Sequence, residues 1–300
     1  MKQWIFVIFL LSTLASAAQR RRVPDKLANE TERIKAMELL AAADTLQQSM
    51  HWPNINPKEF LDNLKQNTEY PFKINTGRGT NFCAYGAITY TCFKNEPSRY
   101  IQCMLDLYRN GEAFYRDVKL TPPDAIKREA GLMIYQGDLD VHPADQVWFL
   151  CLADRFKGYL NFFNMRYKKG DENTLWASTN LAKFNRMLRR LCKYKVDSRG
   201  SDLFRPHSKD LPRFLEEKLS QGEVYIYLNN ALLRKKNHNR VKKRLPTHYV
   251  VLMEIKYDES GIFIKYWDGG YKTVKEVSLS SLKQIIYGIS WVMYKEKIDE

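Results

Sequence analysis

Apolar residues recur along this chain with two different periods, and the change of period divides it. Up to about residue 220 the spacing is helical. Leu27 to Met50 forms an Ala-, Leu- and Glu-rich stretch, and Asn56-Pro57 opens a shorter helix through Leu64. Ala84, Ala87, Ile88 and Cys92 fall at i, i+3, i+4 and i+8 and place a helix directly after Cys83, behind a loop from Asn75 to Asn81 that carries Gly77 and Gly79. Further helices are predicted from Pro97 to Asn110, after Thr121-Pro122-Pro123, from Pro143 through Phe156, from Asn180 to Lys193, and from Leu211 to Ser220, where Gln221-Gly222 stops the last. The period then shortens. Glu223 to Leu228, His248 to Ile255, Gly261 to Trp267, Thr273 to Val277 and Ser290 to Tyr294 read as strands, and Ser278 caps a short helix through Ile286. Helices first and hairpin-linked strands afterwards predict an α+β fold with an antiparallel sheet.

Composition changes the picture mainly at the N-terminus. Lys2, the apolar run Trp4 to Leu14 and Ala15-Ser16-Ala17 have the three parts of a secretory signal. The run is too short for a membrane span, and no later run reaches the ~18 apolar residues that one needs. The expected organisation is a signal peptide over 1–18, a helical extension over 19–74 and one larger α+β domain over 75–300, in a secreted or periplasmic protein. The formal charge is +14, which favours an anionic polymer or an acidic protein as partner. Positive residues concentrate in Arg20-Arg21-Arg22 and in Arg234 to Arg244, where Lys235, Lys236, Lys242 and Lys243 are candidate anion-binding residues.

There are five cysteines. They are too few and too irregular for a disulfide scaffold, and an odd number in an exported chain leaves a thiol unpaired. Cys151 and Cys192 lie inside helical apolar patterns and are expected in the core, as are Trp148, Phe149, Phe156, Phe162 and Phe163. No cysteine or histidine pair has metal-ligand spacing, so neither metal nor cofactor is expected. His51, His142, His207 and His238 lack a strand context and read as surface residues.

Cys83 and His248 differ from these. Cys83 opens its helix, where backbone N–H groups and the helix dipole favour a thiolate, and Thr80 or Asn81 is placed to cap it. His248 opens a β-branched strand, and the next strand ends in Tyr266-Trp267-Asp268-Gly269-Gly270. The order Cys83, His248, Asp268 allows a nucleophile, a base and a residue that orients the base.

The local sequences around these residues resemble papain-like cysteine peptidases. Leu211-Pro212-Arg213-Phe214-Leu215, followed by Leu219-Ser220-Gln221-Gly222-Glu223-Val224-Tyr225-Ile226, is similar to the helix, glycine and strand before the histidine in bacterial papain-like peptidases, including the peptidase domains of bacteriocin exporters. His248-Tyr249-Val250-Val251-Leu252 resembles their histidine strand, Trp267-Asp268-Gly269-Gly270 their Asp-turn, and Asn81-Phe82-Cys83-Ala84 their nucleophile helix start. The stretch from Leu107-Tyr108-Arg109-Asn110-Gly111 to Ala144-Asp145-Gln146-Val147-Trp148 resembles uncharacterised bacterial proteins with the same cysteine and histidine context.

The resemblance implies an exported thiol hydrolase that cleaves a peptide, isopeptide or amide bond in a protein or peptidoglycan substrate, with use as a secreted effector or toxin. Two departures stand: Ala84 replaces the usual Gly, and Gly77 stands where the family places its oxyanion glutamine. Asn81 and Asn75 are the candidates to replace that donor. Two alternatives stay open. One is a cell-wall amidase or endopeptidase of the NlpC type, whose third member is usually a second histidine, whereas no histidine follows His248. The other is an inactive papain-like binding protein that uses its basic loop.

Overall fold

A computed structural model describes residues 30–77, 79–133, 140–230, 245–259 and 261–297. The signal segment 1–18, Arg20-Arg21-Arg22, His238 and the basic stretch 234–244 with Lys235, Lys236, Lys242 and Lys243 lie outside the described residues.

The first helix among the described residues, α1 (Glu30–Ala42), ends earlier than its Ala- and Leu-rich sequence predicts. Tertiary hydrogen bonds claim the residues that follow. Ser49 Oγ donates to the Tyr108 carbonyl (2.5 Å), Trp52 Nε1 to that of Leu107 (2.6 Å) and Gln48 Nε2 to those of Trp52 and Ile55. These bonds draw 45–55 away from a helical path and onto the end of a later helix.

Helix α2 (Pro57–Glu69) starts where Asn56 Oδ1 accepts from the Lys58 and Glu59 amides, with Pro57 in the first turn. Helices α3 (Cys83–Asn95) and α4 (Pro97–Asn110) follow, then a hairpin of β1 (Ala113–Tyr115) and β2 (Val118–Leu120) that the pattern did not predict, because three-residue strands carry almost no periodicity. Helices α5 (Asp124–Glu129), α6 (Pro143–Arg155) and α7 (Leu181–Cys192) complete the first half. Asn180 caps α7 by accepting from the Lys183 amide at 2.7 Å.

The second half is a six-stranded sheet, antiparallel at every pairing, built from β3 (Tyr194–Gly200), β4 (Gly222–Leu228), β5 (His248–Asp258), β6 (Gly261–Asp268), β7 (Tyr271–Val277) and β8 (Ile286–Lys297). Helix α8 (Leu211–Gln221) precedes β4 and α9 (Leu279–Ile285) precedes β8. The spatial order is β3-β8-β4-β5-β6-β7, so the last strand of the chain lies inside the sheet, between β3 and β4. The mixed α+β class and the antiparallel sheet agree with the sequence reading.

Alternation along the strands sorts side chains to two cores. Tyr225, Tyr227, Tyr249, Val251 and Trp267 join one that contains Leu40 of α1, Trp52, Phe60 of α2, Phe82, Tyr85 of α3 and Trp148 of α6. Val224, Ile226, Leu228, Val250, Leu252 and Tyr266 join another with Leu211, Phe214 and Leu215 of α8 and Leu282 and Ile285 of α9. The sheet is therefore covered on both faces, which is why Val224 to Leu228 of β4 read as an unbroken apolar run. Among the described residues, Trp148, Phe149, Phe156, Cys151 and Cys192 are buried as expected. Phe162 and Phe163 are not: they are 75% and 98% exposed and follow a single 3-10 turn (Tyr159–Asn161) in a long loop. Their apolar character had suggested core, but no element continues there to carry them inward.

Candidate active site

Cys83 is the first residue of α3, and Phe82 holds the helix entry. Phe82 is fully buried, with its ring centroid 5.3 Å from that of Phe149 and 6.0 Å from that of Tyr85. Neither Thr80 nor Asn81 caps the helix, contrary to the sequence expectation. Thr80 Oγ1 donates to the Thr76 carbonyl (2.5 Å) and accepts from the Phe82 amide (3.2 Å), so its hydroxyl closes the loop on itself. Asn81 donates through Nδ2 to the Thr174 carbonyl (2.7 Å) and through its amide to the Glu172 carbonyl (2.8 Å). The start of α3 carries no side-chain cap, so its first-turn N–H groups and the positive end of its dipole are directed to the region of the thiol. Of the five cysteines, Cys83 alone is not buried.

His248 and Asp268 meet because of sheet register. His248 begins β5 opposite Leu228, and Asp268 ends the antiparallel neighbour β6, so both lie at the same end of the sheet. His248 Nε2 and Asp268 Oδ1 form an ion pair, with side-chain exposures of only 12% and 20%. Since Nε2 faces the carboxylate, Nδ1 is the nitrogen left for the sulfur. Burial acts against the charged ring. The Asp268 carboxylate and then the Cys83 side chain, each through charge and hydrogen bonding, more than offset it and raise the His248 pKa to about 10. The three residues picked from sequence are thus brought together: an imidazolium lies between a carboxylate and a thiol at a helix N-terminus. Chemically, that arrangement can hold a thiolate and return a proton to a leaving group.

This pKa predicts how stability depends on pH. The folded value lies above the ordinary 6.5, so protonated His248 contributes stability that is complete below about pH 6.5, declines above it and is gone past about pH 10. Urea midpoints between pH 7 and pH 10 should therefore fall more steeply for the wild type than for His248→Gln. Parallel slopes would mean that the ring is not held protonated.

A close approach joins α3 to the Asp268 turn. A Cβ on Gly86 would lie 2.2 Å from Thr76 Cγ2 and 3.3 Å from Trp267 Cη2, and one on Gly269 would lie 2.4 Å from Thr76 Oγ1. Gly269 also has φ +49°, which favours glycine. Thr76 therefore fills the notch between α3 and the turn after Asp268. Trp267 backs it, with Nε1 donating to the Phe72 carbonyl (2.8 Å) and its ring stacked on Tyr90 at 5.1 Å. Sequence reasoning missed Gly86; a glycine inside a predicted helix, three residues after the cysteine, was the available signal. Gly86→Ala should cost about 1–3 kcal/mol by overpacking and lower turnover. Adding Thr76→Ser, which removes the colliding methyl, should recover most of both in denaturation and rate measurements.

The oxyanion candidates separate. Asn81 holds the 172–174 loop against the helix entry through its Nδ2 and its amide. Asn75 accepts at Oδ1 from the Gly77 amide (3.1 Å), which among the described hydrogen bonds leaves Nδ2 uncommitted. Its Cα lies 3.8 Å from where a Gly270 Cβ would be, beside the Asp268 turn.

A ring wall that the sequence reading did not single out stands nearby. Tyr227 stacks on Tyr249 at 4.2 Å, and Phe184 on the other side of Tyr249 at 4.4 Å. Burial, with Cys83 contributing, pushes the Tyr85, Tyr227 and Tyr249 hydroxyls up, so they stay protonated. Beside His248, Asn229 Nδ2 donates to the Leu245 carbonyl and the Thr247 amide to that of Leu228. His142 and His207 are exposed and His51 is half-buried. Among the described residues there is no group of three or more potential metal ligands, and no helix is long and apolar enough to cross a membrane. The chain matches no protein-family profile, no curated protein and no solved structure.

Proposed function

We propose that this protein is a papain-like thiol hydrolase that cleaves a peptide, isopeptide or amide bond, and that residues 1–18 direct its export. The observation that carries the reading is the position of His248, which pairs with Asp268 through Nε2 and interacts with Cys83. In this reading Cys83 Sγ attacks the acyl carbon, and the oxyanion is met by first-turn N–H groups of α3 and by Asn75 Nδ2. His248 Nδ1–H then protonates the departing amine, which leaves a thioester on Cys83. The neutral imidazole takes a proton from water, the resulting nucleophile hydrolyses the thioester, and the thiol pair is regenerated. Asp268 holds the ring throughout and offsets the charge on it. An aspartate as third member also favours this reading over the NlpC-type amidase.

Iodoacetamide alkylation of Cys83 across pH tests the proposal. The reading expects modification that is already fast at pH 6, where an ordinary thiol reacts slowly, and loss of that reactivity in His248→Ala. Slow modification at pH 6 in the wild type would replace the hydrolase by a binding protein of the same fold.

A further inference from the structure

The four cysteines outside the site are all buried, but two of them are not isolated. Cys92 lies in the last turn of α3, where its carbonyl accepts from the Glu96 amide, and Cys192 is the last residue of α7. Both line the same small cavity, together with Thr91, Asn95, Glu96, Tyr115 and Tyr194. Cys103 and Cys151 are not among its lining residues. Cys83 cannot substitute for Cys192, because it lies nine residues from Cys92 on the same helix, roughly 13 Å along the axis, well beyond disulfide reach.

We propose that Cys92 and Cys192 are a disulfide site, closed as the chain folds and stapling the end of the nucleophile helix to the end of α7. The proposal rests on export to an oxidising compartment, where such bonds form and persist. The oxidant is of the disulfide class, either a protein disulfide or oxidised glutathione. One thiolate attacks a sulfur of that disulfide and releases one thiol. The second thiolate displaces the other half of the oxidant from the mixed disulfide. The Cys92–Cys192 bond forms, two electrons pass to the oxidant, and the two cysteine protons end on its two thiols.

Timing follows from burial. Contact with Cys92 and then burial push the Cys192 thiol well above its ordinary range, so in the folded protein it reacts slowly and is a poor metal ligand. The bond therefore forms before the helix ends are covered. It closes a loop of about 100 residues, long enough for a large constraint on the unfolded chain. It also joins the two helices that carry Cys83 and Phe184, one at the site and the other on its ring wall.

The test uses the full chain with Cys83→Ala, so that the site thiol cannot intervene, refolded from denaturant with oxidised and reduced glutathione. Alkylation in denaturant followed by intact mass should find two modified thiols of the remaining four, and peptide mapping should find Cys92 joined to Cys192. Reductant should lower the melting temperature by on the order of 10 °C, and a Cys92→Ala, Cys192→Ala variant should not respond to it. Four alkylated thiols, or a link between another pair, would overturn the proposal. The thiol count does not depend on turnover, so it can fail while the hydrolase reading stands, and the reverse.

Discussion

On the proposed reading, Cys83→Ala should leave a folded protein whose turnover falls by on the order of 10⁴- to 10⁶-fold, as when the nucleophile is removed from a covalent hydrolase. The fold survives because position 83 is only partly buried, opens a helix and tolerates alanine, the best helix former. No other group takes over. Cys92, Cys103, Cys151 and Cys192 are buried, and none of them lies between a helix N-terminus and an imidazolium. The measurement is hydrolysis of one peptide or amide substrate found by screening, with circular dichroism on the variant. Full activity in folded Cys83→Ala would remove the thiol mechanism.

The second large effect belongs to the pair behind the thiol, and its two members differ. His248→Ala should lose nearly as much as Cys83→Ala, because in the proposed mechanism both the proton donor to the leaving group and the partner of the thiolate go with one ring. Removing both residues together costs no more than removing Cys83 alone, since groups that act as a unit are not additive. Asp268→Asn is milder, about 10- to 10²-fold, because an amide oxygen can still accept from Nε2 and hold the ring. Its pH profile discloses the rest. The Asp268 carboxylate is the largest of the influences that raise His248, so the alkaline limb of the activity profile moves to lower pH in Asp268→Asn. An unmoved limb with reduced rate would assign Asp268 to orientation alone. A variant as dead as Cys83→Ala would mean that its charge is needed for the ion pair to exist.

Much of this site was visible in the order of residues. A helix whose apolar period begins right after Cys83 places that thiol in a first turn whatever packs around it. A β-branched run that opens at His248, and a second strand that ends at Asp268 before two glycines, bring both side chains to one end of a hairpin pair. These are local consequences of backbone geometry, and the observed elements keep them: α3 starts at Cys83, β5 at His248, and β6 ends at Asp268. Helices α2, α4, α6, α7 and α8 were legible for the same reason.

Long-range pairing was not legible. β3 is exposed along most of its length and gains its identity only from β8, which pairs with it across some 90 residues of chain. β8 itself entered the sheet between β3 and β4 rather than after β7, a placement set by the two cores and not by strand order. Tertiary contacts also decided where Thr80 and Asn81 spend their hydrogen bonds, where α1 stops, and that Gly86 must stay a glycine for Thr76 to fit. The sequence alone determined which chemical groups lie at element ends, because capping, periodicity and strand alternation act over a few residues. Which of those ends touch, and how strongly His248 holds its proton, was decided only by the packed sheet, because burial and charge act through space between residues that are distant in the chain.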